Sequence, residues 1–190
     1  MLHTPNLRSK SLGADLRALR KARDITLQDM AGELRRSVGW VSQVERDLSR
    51  PSVSDLRAIA MVLDVPLSLF FGQTEALEAE QGYVVRKSTR RKIGSGEGGL
   101  VEELLSPDLT DDFEVVHSTF QPGSVLKDPQ IRPTQEVAYL ISGKLDLKIG
   151  SHSFTINPGD SFRIRGEQYQ WANPYTKPAV AIWVIAPPVY

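Results

Sequence analysis

The period of the hydrophobic pattern changes once along this 190-residue chain, and that change limits the fold more than any other feature. From Leu12 to Phe71 apolar residues recur every three or four positions, the spacing of one face of a helix. Leu12, Leu16 and Leu19 stand behind Ser11, a residue suited to an N-cap. Thr26 precedes Leu27, Met30, Ala31 and Leu34, with Asp29 in capping-box position; Ser37 precedes Val41 and Val44. Ser52, with Asp55 three residues on, precedes Leu56, Ile59, Ala60 and Leu63, and a short fifth helical turn is expected after Pro66. Beyond residue 82 the alternation becomes twofold. Phe113, Val115 and His117 alternate with Glu114, Val116 and Ser118; Leu145, Leu147 and Ile149 alternate with Lys144, Asp146 and Lys148; residues 179–185 are almost continuously apolar. Short strands closed by Gly and Pro, with no helix between them, predict an antiparallel sandwich or barrel. The expectation is an α+β chain of two domains: an all-α, five-helix domain over 1–71, a polar linker over 72–82, and an all-β barrel over 83–190.

Composition narrows the chemistry. The absence of cysteine excludes disulfides, thiolate metal sites and cysteine nucleophiles. The first twenty residues lack the apolar run of a secretory signal, and no stretch approaches the ~18 apolar residues of a membrane helix, so a cytoplasmic protein without a membrane partner is expected. Net charge is zero, but residues 1–71 carry eleven Lys/Arg against eight Asp/Glu, a net +3, and the remainder is −3. A basic front on an acidic body suits a nucleic-acid-binding head.

The stretch from Thr26 to Ser52 sharpens that reading. Two short capped helices flank a tight turn of Arg35, Arg36 and Ser37, which lays the second helix across the first so that its outer side enters a major groove. Ala31 is small at the crossing, while Val41 and Val44 anchor the second helix. The same helix turns Val38, Gly39, Ser42, Gln43 and Arg46 outward. Glutamine pairs with an adenine edge, and Ser42 reaches base or phosphate. Arg36, Arg46 and Arg50 are placed as phosphate partners, and the helix start at Ser37 offers free amides. Trp40 is left with two readings, packed between helices or facing DNA.

These residues resemble the lambda-repressor-like (XRE) helix-turn-helix family. The likeness is carried by Leu27-x-x-Met30-Ala31-x-x-Leu34, by Ser37 with Val41-Ser42-x-Val44-Glu45-Arg46, by Arg50-Pro51-Ser52, and by Leu56-x-x-Ile59-Ala60-x-x-Leu63. It implies a scaffolding role for Glu45. It also implies a left-handed residue at Arg35 and at Asp47, where the family prefers glycine. From Gly123 onward the chain resembles the cupin family, in Gly123, Glu136 and Gly143, then Pro158-Gly159-Asp160 and Asn173. A jelly-roll barrel follows from that likeness.

Its metal chemistry does not. Where the cupin pattern has three histidines this chain has Pro129, Ile131 and Tyr169, and Glu136 alone cannot hold a divalent ion. No metal, no cofactor and no enzyme activity are therefore expected. The barrel is read as a small-ligand pocket with Glu136 and Tyr169 facing inward, joined by Gln130, Arg132, Trp171 and Trp183. Glu136 among aromatics suits an ammonium group, and Arg132 suits a carboxylate, pointing to an amine or amino-acid effector. A barrel filled by a Glu136–Arg132 pair is the competing reading. His117 is expected in the core or pocket, and His152 in solvent. Gly94, Gly96 and Gly99 satisfy a dinucleotide-loop spacing without a βαβ unit. The basic run Arg86, Lys87, Arg90, Arg91 and Lys92 reads as a solvated strand or interdomain salt bridges, ahead of a contact with DNA flanks or a ligand carboxylate.

The pairing of the two families implies a homodimer, joined through the barrels, that represses metabolic genes. Recognition helices about 34 Å apart then require a palindromic operator. An enzyme with a docking helical domain, or an antitoxin-like protein-binding module, are the readings set against a DNA-binding regulator.

Overall fold

Each α-helix of the N-terminal half starts where a hydroxyl accepts from an otherwise orphaned backbone amide. The computed structural model describes residues 11–71, 80, 82–93, 97–107, 109 and 111–188. Four α-helices occupy the first stretch: α1 (Leu12–Ala22), α2 (Leu27–Glu33), α3 (Val38–Val44) and α4 (Val53–Val62). Ser11, Thr26, Ser37 and Ser52 cap them as the sequence predicts, and Thr26–Asp29 and Ser52–Asp55 close full capping boxes. The fifth helix is a correction. Leu67–Phe70 is a single 3-10 turn, because Pro66 offers no side-chain cap and Phe71 is already extended.

All four α-helices end the same way. Asp24, Arg35, Asp47 and Asp64 take left-handed backbone, with φ of 55°, 51°, 58° and 50°. After each, the next amide reaches back to close the last turn: Ile25 to Arg20, Arg36 to Ala31, Leu48 to Gln43 and Val65 to Ala60. Three aspartates fill positions usually given to glycine, consistent with their tolerance of this region. The helical core is Leu16, Leu19, Met30, Ala31, Val41, Val44, Leu56, Ile59, Leu63 and Leu69.

The remainder is β. Strands β1 (Arg91–Ile93), β2 (Leu100–Leu104), β3 (Glu114–Phe120), β4 (Gln135–Ser142), β7 (Ser161–Arg165) and β9 (Ala179–Ala186) form one antiparallel sheet in the order β1-β2-β3-β9-β4-β7. Strands β5 (Leu145–Ile149), β6 (His152–Ile156) and β8 (Tyr169–Ala172) form a second, ordered β6-β5-β8. Bridges Val125↔Ala172 and Gln130↔Tyr169 lay the 125–130 segment along the free side of β8. Residues alternate between more and less buried along β3 and β9, and along β4 as far as Ile141. The buried set includes Leu104, Val116, Phe120, Ala138, Leu140, Ala181, Trp183 and Ile185. Gly143 turns β4 into β5 at φ 78°, where a Cβ would meet the Pro178 carbonyl at 2.3 Å, which is why the cupin pattern has glycine there.

On β3 the expected phase is inverted. Glu114, Val116, Ser118 and Phe120 are the buried set, so Val115 and His117 lie on the opposite face, where His117 Nδ1 is 3.7 Å from Glu103. By packing, the first unit runs to Arg90 and takes in Pro107 and Leu109; the second takes Arg91–Ser106 and the chain from Asp111. Of the expected 72–82 linker only Glu80 and Gly82 are described, and Gly94 and Gly96 also lie outside the described residues.

Two glycines test the helical packing. A Cβ on Gly13 would stand 2.4 Å from the Val44 carbonyl and 2.8 Å from the Glu45 carbonyl carbon, both backbone, whereas one on Gly32 meets nothing within 4 Å. Gly13→Ala should lower stability by about 1–3 kcal/mol, the range for forced overpacking. Gly32→Ala, in an exposed helix, should raise it by about 0.5–1 kcal/mol. Denaturant midpoints of the two variants check the opposite signs.

Candidate DNA-recognition face and barrel interior

Helix α3 has seven residues, too few to hold itself, so its orientation comes from what grips it. Val41 and Val44 are 2% and 3% exposed beneath it. At its C-terminal end Glu45 receives two bonds from Arg20 of α1, Nε to Oε1 at 2.5 Å and a terminal nitrogen to Oε2 at 2.9 Å. Arg20 spends a further donor on the Ile25 carbonyl at 2.7 Å. Both side chains are buried, so the pair is a two-pronged, desolvated clasp. Asp47, just beyond, accepts from the Gly13 amide at 2.9 Å and from the Ser11 hydroxyl. Glu45 thus has the scaffolding role its position implies. Arg20 is the partner that sequence reasoning missed, because nothing local ties a residue of α1 to one 25 positions later.

The opposite side of α3 is open. Val38 is 41% exposed, Gly39, Gln43, Arg46 and Arg50 are exposed, and Ser42 is half-buried. At Gly39 a Cβ would meet only the capping Ser37 hydroxyl, at 3.9 Å, which leaves room for close approach. Arg46 Nε donates to the Ser42 carbonyl at 3.1 Å, laying the side chain along the helix. Arg36 is more constrained than its reading as a phosphate partner supposes. One guanidinium nitrogen lies 2.7 Å from Asp55 Oδ1, and the group sits 5.0 Å from the centre of the Trp40 ring. Trp40 is half-buried beneath it. Asp55 therefore serves both Ser52, as its capping partner, and Arg36; hydrogen bonding from Ser52, then from Arg36, holds its carboxyl below the usual range.

In the barrel, Glu136 and Tyr169 are 1% and 5% exposed. Thr134 donates to Glu136 Oε1 at 2.6 Å, and the Tyr169 hydroxyl points at Gln130 Oε1 at 3.4 Å. Among the described residues Arg132 forms no ion pair with Glu136. Trp171 and Trp183 are packing residues, in edge-to-face contact with Phe120 at 4.8 Å and with Phe162 at 5.2 Å. Glu102 of β2, absent from the sequence reading, joins the group: Ser118 donates to its Oε1 at 3.1 Å. Burial raises its carboxyl above the ordinary glutamate range; Ser118 and Arg132 oppose the rise and Glu136 adds to it. The Tyr169 hydroxyl is pushed up to about 12, chiefly by burial, and so stays protonated as a donor. A separate cleft of about 420 Å³ on the small sheet is lined by Val125, Asp146, Lys148, Phe154 and Gln170 among others, and of the predicted ligand residues only Trp171 reaches it. No group of three or more His, Cys, Asp or Glu able to hold a metal occurs among the described residues. The side chains at the cupin metal positions do not fit an ion.

Comparison with known proteins agrees with this division. Residues 11–70 match the helix-turn-helix domain and residues 116–185 the cupin domain. The chain thus joins a helix-turn-helix domain to a cupin domain. The immunity repressor protein of Bacillus phage phi105 is 31% identical over 71 residues, 37% of this chain and 49% of the repressor. The chain thus spans about half the length of that curated relative. An HTH_3 family regulator from Vibrio cholerae aligns over 93% of this chain and 95% of its own, at 19% identity and TM-score 0.46. The cupin domain of an XRE family regulator from Enterobacter cloacae aligns over 47% and 97%, at 26% identity and TM-score 0.41. No helix among the described residues is long and apolar enough to cross a membrane.

The raised Glu102 carboxyl has a pH consequence. A native carboxyl that keeps its proton to higher pH than the unfolded one stabilises the fold fully below about pH 4.3, and loses that contribution as pH rises through its native value. Glu102→Gln removes the titration. The parent should lose stability relative to this variant over the pH range above about 4.3. A constant difference in urea midpoint across that range would contradict the assignment.

Proposed function

We propose that the chain is a sequence-specific transcriptional repressor that binds a palindromic operator as a homodimer through α3 and responds to a small amine or amino acid held in its barrel. The observation that carries the DNA-binding part is the exposed row Val38, Gly39 and Gln43, continued by Arg46 just past the helix end, opposite an underside that is gripped. In this reading Gln43 and Ser42 read base edges. Arg36, Arg46 and Arg50 meet phosphates, and the amides behind Ser37 add a further anion contact. Trp40 acts from below by fixing the Arg36 guanidinium. Repression is favoured by the likeness to a phage repressor over the helix-turn-helix region.

A two-fold partner is supported by the outer face of the larger sheet. Val137, Tyr139 and Ile141 are each 49% exposed and Val184 44%, and cross-strand pairs Val137↔Val184 and Tyr139↔Ile182 make the patch continuous. Contiguous apolar surface of this kind marks an interaction site. Within the barrel, Glu136 and Arg132 supply the anionic and cationic contacts an amino acid requires.

Footprinting on the DNA upstream of its own coding region tests the reading. Protection of two half-sites one helical turn apart is expected, from a protein that sediments as a dimer. Gln43→Ala should cost about 1–3 kcal/mol on that site and little on unrelated DNA. Equal losses on both would remove Gln43 from base reading, and no protection even at low salt would remove the repressor.

A further inference from the structure

The charged groups of the barrel interior do not neutralise one another, and what they leave uncompensated has a definite sign. Glu136 is 1% exposed and is held by the neutral hydroxyl of Thr134. Glu102 is held by the neutral hydroxyl of Ser118. Neither carboxylate meets an ion-pair partner among the described residues, and Arg132 pairs with neither. Arg132, Thr134 and Glu136 follow Gln130, which bridges to Tyr169 and accepts from its hydroxyl. Glu102, Arg132 and Glu136 all act on Tyr169 through space, so they share one region of the barrel. Glu114, the barrel's other buried acid, is not among the charges that act on Glu102 or Tyr169. Glu102, Gln130 and Arg132 are half-buried, so the cluster reaches solvent on their side.

Buried charges are normally paired, and an unpaired carboxylate in a dry site is costly. An α-amino acid with an apolar side chain satisfies Arg132 and one carboxylate and leaves the other bare. A simple diamine satisfies both carboxylates and leaves Arg132 facing no anion. We propose that the barrel takes a diamino acid, a molecule with one carboxylate for Arg132 and two ammonium groups, one for Glu136 and one for Glu102. The inference rests on reading the barrel as the effector site and narrows that site to one charge pattern. Tyr169 and Gln130 then orient the ligand as neutral hydrogen-bonding groups. Burial that disfavours an ionised Glu102 is offset once an ammonium group lies beside it.

Calorimetric titration of the full-length protein decides the matter. The probes are L-ornithine and L-lysine, with L-norvaline and 1,4-diaminobutane each lacking one charged group of ornithine. Ornithine or lysine should bind at least about tenfold more tightly than either truncated probe, as expected for loss of one charge-assisted contact. Glu102→Gln should bring ornithine down to the level of norvaline, and Arg132→Gln to that of diaminobutane. Norvaline or diaminobutane binding as well as ornithine overturns the pattern, as does no binding by any probe. If either variant fails to fold by circular dichroism, the comparison of probes on the unaltered chain still decides. Operator protection is scored separately. Ornithine binding without DNA protection overturns the repressor and keeps the ligand class; protection without ornithine binding does the reverse.

Discussion

The helix that meets DNA in this account cannot support itself, and the buried Arg20–Glu45 pair is what fixes it. An isolated seven-residue helix is unstable in water, so the direction of its outer face is a tertiary property. The two-pronged bond from α1 ties the end of α3, and Val41 and Val44 hold its middle. Asp47 adds a second tie, to the start of α1, close enough that only glycine fits at position 13. Losing one partner of a buried pair strands the other charge, at a typical cost of about 3–5 kcal/mol. The grip and the exposed row are therefore opposite sides of one short element.

The barrel shows the same separation of frame from site. Alternating strands place aliphatic and aromatic residues across its middle, and Trp171 and Trp183 belong to that packing. The polar group sits among Glu102, Arg132, Glu136 and Tyr169, built from two strands of the large sheet, one of the small sheet, and the segment between β3 and β4. At the three positions where the cupin resemblance implies histidine, this chain has Pro129, Ile131 and Tyr169. Proline and isoleucine carry no side-chain donor for an ion, and burial keeps the Tyr169 hydroxyl protonated.

Local chemistry was legible in the sequence and distant partnership was not. Helix starts were readable because an N-cap bonds an amide two or three residues away, and all four caps stand as expected. The left-handed ends at Arg35 and Asp47 were readable from the positions that the resemblance makes glycine. The fifth helix failed because apolar spacing after Pro66 does not distinguish a 3-10 turn from an α-helix. The phase of β3 failed because Phe113-Glu114-Val115-Val116-His117 has apolar residues on both faces, and only packing against β9 decides which is buried. Glu114 and Glu102, acids on inward positions, invert the usual polarity cue. Arg20 and Glu102 were invisible for one reason: each acquires its role from a residue far along the chain.

The central claim is that α3, held from beneath, presents its other side to duplex DNA. Amide chemical-shift mapping of the labelled protein, titrated with its upstream duplex, measures this directly. The account predicts the largest changes at Gly39, Gln43, Arg46 and Arg50, with Val41, Val44 and the Arg20–Glu45 clasp little altered. Changes confined to other elements, with the α3 amides unmoved at saturating DNA, would contradict it.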